Sequence, residues 1–252
     1  MKNSCLSISL VLLAAICLYG FSSRDISLNK TGTVKITFVN TVKGNAIDLG
    51  NTVYTNPFSE TYTITRFKYY ISNVNVASAG TRIAEEESYH LIDEAKPESL
   101  SFSFNVKADT YNILSFLLGV DSLKNVSGAQ TGALDPLNDM FWTWNSGYIM
   151  AKMEGRSPQS KLVNNKVEFH IGGFSGEYSA LKYLRFKLPA ALQVSEGKTS
   201  EIIIEADFDK WWQDPNELKI AEHPVCSVPG PQAKQFADNY SKMFTIKEVI
   251  NN

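Results

Sequence analysis

TYTITRFKYYISNVNV, at residues 61–76, is a long run of strand-like sequence. Apolar and aromatic side chains recur at every second position here, as on a strand with one buried face. The alternation changes phase near Arg66 and again near Asn73. Such phase changes predict β-bulges, or two strands that meet at a bend.

The same period-two alternation extends over most of the chain. It predicts further strands at residues 34–39, 47–53, 89–93, 101–106, 148–153, 166–171, 181–188 and 200–208. Turn residues separate these runs, and no linker, internal repeat or low-complexity tract is visible. We predict an all-β fold over residues 31–250, an antiparallel β-sandwich of immunoglobulin-like or jelly-roll-like type.

Helical spacing is confined to three short stretches. In residues 109–118 apolar side chains recur at near-helical intervals before Gly119. Asp135-Pro136 predicts a short helix that runs through Met140, because proline suits the first helical position. Residues 231–243 carry one apolar face and predict a helix near the C-terminus.

The N-terminus predicts export. Lys2 precedes an apolar run at residues 6–18, and residues 20–22 are typical of a signal-peptidase site, so residues 1–22 are interpreted as a signal peptide. The run is shorter than the ~20 residues of a membrane-spanning helix, so we expect no stable membrane span. A lipoprotein processed at Cys17 is the alternative, but bulky Ile16 stands where lipidation needs a small residue. We expect a bacterial protein of the periplasm, the extracellular space or the cell surface.

Charge, cysteines and motifs exclude several functions. The 24 basic residues nearly balance the 26 acidic ones, and no basic run is present, so nucleic-acid binding is not expected. After export Cys226 is the only cysteine, which excludes an internal disulfide and a cysteine-pair zinc site. The chain lacks a G-x-S-x-G nucleophile elbow, an H-E-x-x-H motif and a phosphate-binding glycine loop. We therefore expect a non-enzymatic protein.

Histidines are the candidate metal ligands. His90 and His170 fall on predicted strands, and His223 falls in a loop. Imidazole binds copper and zinc well, so two histidines that converge across the sandwich would form a metal site. Met150 and Met153 point to opposite faces of a strand, and we interpret them as core residues.

A second candidate site combines acids with tryptophans. Asp207 and Asp209 lie beside Trp211 and Trp212, as in a carbohydrate site with paired carboxylates. A solvated strand end explains the same acids equally well.

Residues 135–155, DPLNDMFWTWNSGYIMAKMEG, hold the densest aromatic group of the chain. Phe141, Trp142, Trp144 and Tyr148 surround a polar turn, and each ring can bury roughly 150–250 Å². The group is interpreted either as a corner of the core or as the lining of a specialised site.

Four strings of residues carry a resemblance to a known family. FLLGVD at 116–121, LDPLNDMFWTW at 134–144, SGY at 146–148 and FHIGG at 169–173 occur in this order. Together they resemble the MbnP-like copper-binding domain, and the match spans most of the chain from Thr31 to the C-terminal helix.

The resemblance implies an exported β-rich protein that binds copper in copper acquisition or handling. In studied members a dihaem partner enzyme of MauG type oxidises a tryptophan to kynurenine, and histidines help to hold the metal. Residues 68–73, on the strand that corresponds to the kynurenine and histidine pair, contain neither Trp nor His. His170, which lies in the family's histidine–glycine string, is the first candidate ligand, and His90 is the second. A metal-free interaction scaffold and a carbohydrate-binding module are the alternatives.

Overall fold

The computed structural model describes residues 30–143 and 146–252, apart from the side chain of Thr143. Within these ranges the strands are, in chain order, β1 (Thr31–Val42), β2 (Asn45–Ala46), β3 (Tyr54–Thr55), β4 (Thr61–Ser78), β5 (Thr81–Ala84), β6 (Tyr89–Asp93), β7 (Ser101–Lys107), β8 (Thr110–Leu118), β9 (Phe141–Thr143), β10 (Gly147–Arg156), β11 (Lys166–Gly172), β12 (Lys182–Gln193), β13 (Thr199–Asp207), β14 (Val225–Cys226) and β15 (Phe244–Ile250). The helices there are α1 (Ser122–Asn125) and α2 (Pro231–Tyr240), with 3-10 turns at Pro97–Leu100, Gly132–Leu134, Pro136–Asn138, Val163–Asn165 and Phe208–Trp211. The predicted signal peptide, residues 1–22, lies outside the described residues.

Two sheets form the sandwich, so the predicted all-β fold is confirmed. The smaller sheet has the order β15-β13-β1-β2, with β7 also paired to β1. The larger sheet has the order β12-β8-β4-β10-β11-β14, and β3, β5 and β6 add to β4 while β9 adds to β10. The pairs β1–β13 and β11–β14 are parallel, and the remaining described pairs are antiparallel.

The long strand β4 contains both irregularities that its sequence predicts. Glu154 on β10 lies opposite Arg66 and Gly155 opposite Ile64, which leaves Thr65 as an extra residue on β4. A second shift in register against β8 falls between Ser72 and Asn75, where Asn73 has a φ of 53°. These bulges are the physical cause of the two phase changes.

The core between the sheets is aromatic. The Phe38 ring on β1 packs against Tyr69 on β4 and Phe116 on β8, with ring centroids 5.9 and 6.3 Å apart. The Trp211 and Trp212 side chains are completely buried in the same core. Since each such ring removes roughly 150–250 Å² from water, this cluster supplies much of the burial that stabilises a fold without disulfides.

Two predicted elements were wrong, and the predicted C-terminal helix is confirmed with a shorter end. Residues 110–118 form strand β8 instead of a helix. Leu114, Phe116 and Leu118 face the core, while Ile113 and Leu117 are half-buried on the opposite face, and together they produced the helix-like spacing. Residues 47–53 form a loop after the short strand β2. Helix α2 ends at Tyr240 instead of Met243, and residues 244–250 form an additional strand, β15, antiparallel to β13.

Helices long and apolar enough to cross a membrane are absent from residues 30–143 and 146–252.

Gly155 offers a test of the first bulge. A Cβ added at this position would lie 1.9 Å from the carbonyl oxygen of Thr63, so the strands could not keep their spacing. We expect Gly155→Ala to lower the free energy of unfolding by about 2 kcal/mol or more, measured by urea denaturation. Gly197→Ala is the comparison, since its Cβ meets nothing within 4 Å and only its left-handed backbone opposes the change. That variant should lose about 1 kcal/mol, and equal losses would contradict a close approach at Gly155.

Candidate metal centre

The two predicted histidine ligands lie on opposite faces of the larger sheet. His170 on β11 is opposite Lys152 on β10, which in turn is opposite Lys68 on the outer face of β4. His90 on β6 is opposite Ile71 of β4, a fully buried residue of the core face. Strands β10 and β4 lie between β11, which carries His170, and β6, which carries His90. Three interstrand spacings therefore separate β11 from β6, a distance of about 14 Å. The structure does not bring these histidines together.

His90 is held by its own neighbours. Its ring stacks on Phe102 with centroids 3.5 Å apart and planes at 1°. Its Nε2 lies 3.0 and 2.9 Å from the two carboxylate oxygens of Glu85, which also accepts a hydrogen bond from Ser88. This histidine therefore has a structural environment within the described chain.

His170 lies with two glutamates on the outer face. Its Nε2 is 2.9 Å from Glu154 Oε1 and 3.5 Å from Glu168 Oε1. One ligand atom from each of the three residues lies within 4.8 Å of the others, and all three side chains are partly buried. An imidazole nitrogen with two carboxylate oxygens is a donor set that suits cupric copper and zinc. The arrangement can hold a divalent cation.

Strand register explains why these residues meet. Glu168 precedes His170 by two positions on β11, so both side chains project from the same face. Glu154 lies directly opposite Glu168 on β10. Sequence reasoning identified His170 and missed both glutamates. The i, i+2 spacing of Glu168 and His170 could have indicated Glu168. Glu154 could not be found in this way, because its position depends on the pairing of β10 with β11.

Three cations surround the carboxylates. Arg66 Nη1 lies 3.5 Å from Glu154 Oε2, and Lys152 Nζ lies 4.0 Å from Glu154 Oε1. Lys166 forms an ion pair with Glu168. The hydrogen bond with His170 is the largest cause that lowers the pKa of Glu154 below its ordinary value, and the nearby cations lower it further against the opposing effect of burial. Glu154 is therefore ionised at neutral pH, and a metal ion must displace some of its present partners.

Residues 135–143 form a covering segment over the edge of this site. Pro136–Asn138 forms a 3-10 turn capped by the Asp135 carboxylate, which accepts from the Leu137 N–H at 2.9 Å. Asp139 ends the turn in the left-handed conformation, with φ 61°. Its carboxylate then lies 2.8 Å from Lys152 Nζ and 3.1 Å from Arg66 Nη1. The Lys152 side chain is only 1 % exposed under this segment.

Trp142 reaches the same outer face. Its ring lies against Gly172, where an added Cβ would come within 2.5 Å of the indole. Gly172 follows His170 by two residues, about 7 Å along the strand. Phe141 packs on Tyr148 with centroids 4.8 Å apart. Trp144 lies outside the described residues.

The other candidate sites do not form. Trp211 and Trp212 are completely buried, so neither offers a surface on which a sugar could stack. Met150 and Met153 are buried core residues, as predicted, and Met150 Sδ accepts the Val120 N–H at 3.2 Å. Burial raises the pKa of the Cys226 thiol to about 12, so this cysteine offers no thiolate ligand.

Comparison with known proteins was made on sequence and on fold. The sequence profile of the MbnP family matches residues 31–228. No curated protein matches the chain. Among solved structures, MbnP from Methylosinus trichosporium is similar with a TM-score of 0.47 and 12 % sequence identity, covering 86 % of this chain and 98 % of that chain.

The Asp139 and Glu154 carboxylates should make the stability of the protein sensitive to acid. Burial raises the pKa of Asp139, but the Lys152 hydrogen bond and the charges of Lys152 and Arg66 together hold it below its ordinary 3.8. Because the folded pKa values of Asp139 and Glu154 are depressed, their stabilisation is present at neutral pH and is lost as the pH falls below about 4.5. The urea concentration at the midpoint of unfolding, measured at pH values from about 6 to about 3, reports this loss. We expect Asp139→Asn to lose less stability on acidification than the wild type does. A pH dependence of stability equal to that of the wild type would contradict a stabilising role for the Asp139 carboxylate.

Proposed function

The chain belongs to the MbnP family, and on that premise we propose that it is an exported copper-binding protein without catalytic activity of its own. The observation that carries the proposal is the convergence of His170, Glu154 and Glu168 on the outer face of the larger sheet. The sequence features of a secretory signal at residues 1–22 support a role in copper acquisition or handling outside the cytoplasm.

The donor set fits cupric better than cuprous copper. Cuprous copper prefers soft thiolate and thioether ligands, whereas cupric copper accepts imidazole and carboxylate oxygen. The methionine and cysteine side chains that the structure describes are all buried, with at most 4 % of their surface exposed. His170, Glu154 and Glu168 would hold the ion, and Glu154 would exchange its cationic partners for it. Copper also heads the affinity order of the common divalent metals for such ligands.

A dihaem oxidase of MauG type is the proposed partner. Trp142 is the tryptophan that would be its target, because its ring lies on the same face as His170, against Gly172. Conversion to kynurenine would add an aromatic amine and a carbonyl beside the proposed ligands. Both groups are further donors of the nitrogen and oxygen type.

A metal-free interaction scaffold is the second candidate. Leu137, in the 3-10 turn Pro136–Asn138, is 91 % exposed and would be the apolar contact that such a scaffold offers. This function predicts that the protein binds no copper.

Copper titration separates the two functions. We expect the wild-type protein to bind one equivalent of Cu(II) in competition with a chromophoric chelator. His170→Ala and Glu154→Gln should each weaken binding by roughly 100-fold or more, since losing a direct ligand exceeds the ~10–100-fold cost of losing an outer partner. His90→Ala is the matched control and should bind as the wild type does. Equal binding by all variants, or none by the wild type, would refute this site.

Tryptophan oxidation is tested by mass. Protein isolated from its own host should contain a peptide with Trp142 that is about 4 Da heavier than the sequence predicts, the mass change from tryptophan to kynurenine. Protein produced without the dihaem partner should lack this increase. Trp142→Phe is the control for the position, and an increase that persists in this variant would assign the modification to another residue.

A further inference from the structure

Two cations beside the candidate metal centre are shared between two carboxylates. Arg66 Nη1 lies 3.1 Å from Asp139 Oδ2 and 3.5 Å from Glu154 Oε2. Lys152 Nζ lies 2.8 Å from Asp139 Oδ2 and 4.0 Å from Glu154 Oε1. Both cations are therefore closer to Asp139, which comes from the covering segment, than to Glu154, which belongs to the centre.

The two cations differ in their freedom to move. Lys152 is 1 % exposed and lies between β4 and β11, so its ammonium group stays near Glu154 whether or not a metal ion is bound. Arg66 is 52 % exposed and can turn toward either carboxylate. Both positive charges oppose a divalent cation at Glu154, because like charges at such distances repel strongly where water is partly excluded. The Asp139 carboxylate offsets that repulsion.

We propose that Asp139 is a positioning residue of the metal centre: by holding Arg66 and Lys152, it leaves the Glu154 carboxylate free to bind the metal ion. The inference rests on the proposed function. Metal binding at the centre and packing of the covering segment against the sheet are then coupled, and each strengthens the other. A metal ion on Glu154 would turn the exposed Arg66 side chain further toward Asp139 and so strengthen its ion pair with the segment.

The Asp139 charge can be removed without releasing the segment. The Tyr148 hydroxyl donates to the Leu134 carbonyl at 2.7 Å, and the Ile149 N–H donates to the Met140 carbonyl at 2.8 Å. Lys68 Nζ adds a contact of 3.3 Å to the Asn138 carbonyl. Asparagine also tolerates the left-handed backbone of Asp139. Asp139→Asn therefore changes charge with little change in shape.

Metal affinity of charge variants tests the proposal. With Cu(II) as the probe, Asp139→Asn should weaken binding about tenfold, within the range for outer partners of a metal site. Arg66→Gln should strengthen binding about two- to threefold, as expected for one partly exposed charge. The double variant should lose less affinity than Asp139→Asn alone, a rescue that a purely structural role of Asp139 would not give.

Asp214→Asn is the matched control. Asp214 also has a left-handed backbone, with φ 66°, and its carboxylate lies 2.8 Å from Lys242 Nζ at a different place on the surface. This variant should bind Cu(II) as the wild type does.

Hydrogen exchange supplies a readout on the segment itself. Backbone amides of residues 137–143 should exchange more slowly in the wild-type protein when Cu(II) is bound, and this protection should disappear in Asp139→Asn. If Asp139→Asn binds Cu(II) with the affinity of the wild type and shows the same protection, the inference is overturned and the proposed function is left intact. A wild-type protein that binds no Cu(II) would overturn both.

Discussion

A buried ammonium group on the outer face of the larger sheet is the constraint on which the site depends. Lys152 is almost completely inaccessible to solvent, and a buried charge is tolerated only when it is paired and hydrogen-bonded. Asp139 supplies both a carboxylate and a backbone carbonyl to it. The left-handed turn at Asp139 is thus the local conformation that lets one residue satisfy the lysine twice. The same pairing fixes the segment over the sheet, and it places Asp139 beside the carboxylate of Glu154.

The parts of the fold that were predictable from sequence depend on local alternation. The phase changes of β4 follow from which residues occupy alternate positions, and no knowledge of its partner strands is needed. Strand β8 could not be recognised in this way, because Ile113 and Leu117 are half-buried on the face opposite Leu114, Phe116 and Leu118, so apolar and polar residues do not alternate. The parallel pairing of β1 with β13 likewise depends on segments far apart in the chain.

The candidate metal centre was predictable only in part for a related reason. A strand position determines the face on which a residue lies only when the phase of every neighbouring strand is known, and one bulge reverses that face. His90 and His170 both follow strand patterns, yet their strands place them on opposite faces of the sheet. Glu154 joins His170 only through the register of β10 with β11. Family resemblance pointed to His170, but it gave no information on the carboxylates that this chain pairs with it.

Charge balance argues for a centre that loads and releases its ion. Three carboxylates, from Asp139, Glu154 and Glu168, form ion pairs with three cations, from Arg66, Lys152 and Lys166. A divalent ion adds positive charge to this balanced group and must displace existing ion pairs, which reduces the net free energy of binding. Structural zinc sites surround the ion with four protein ligands, whereas three protein donors leave a position for water or for a ligand of another molecule. Under the proposed function, an open position and moderate affinity are the properties that allow a bound copper ion to be passed on.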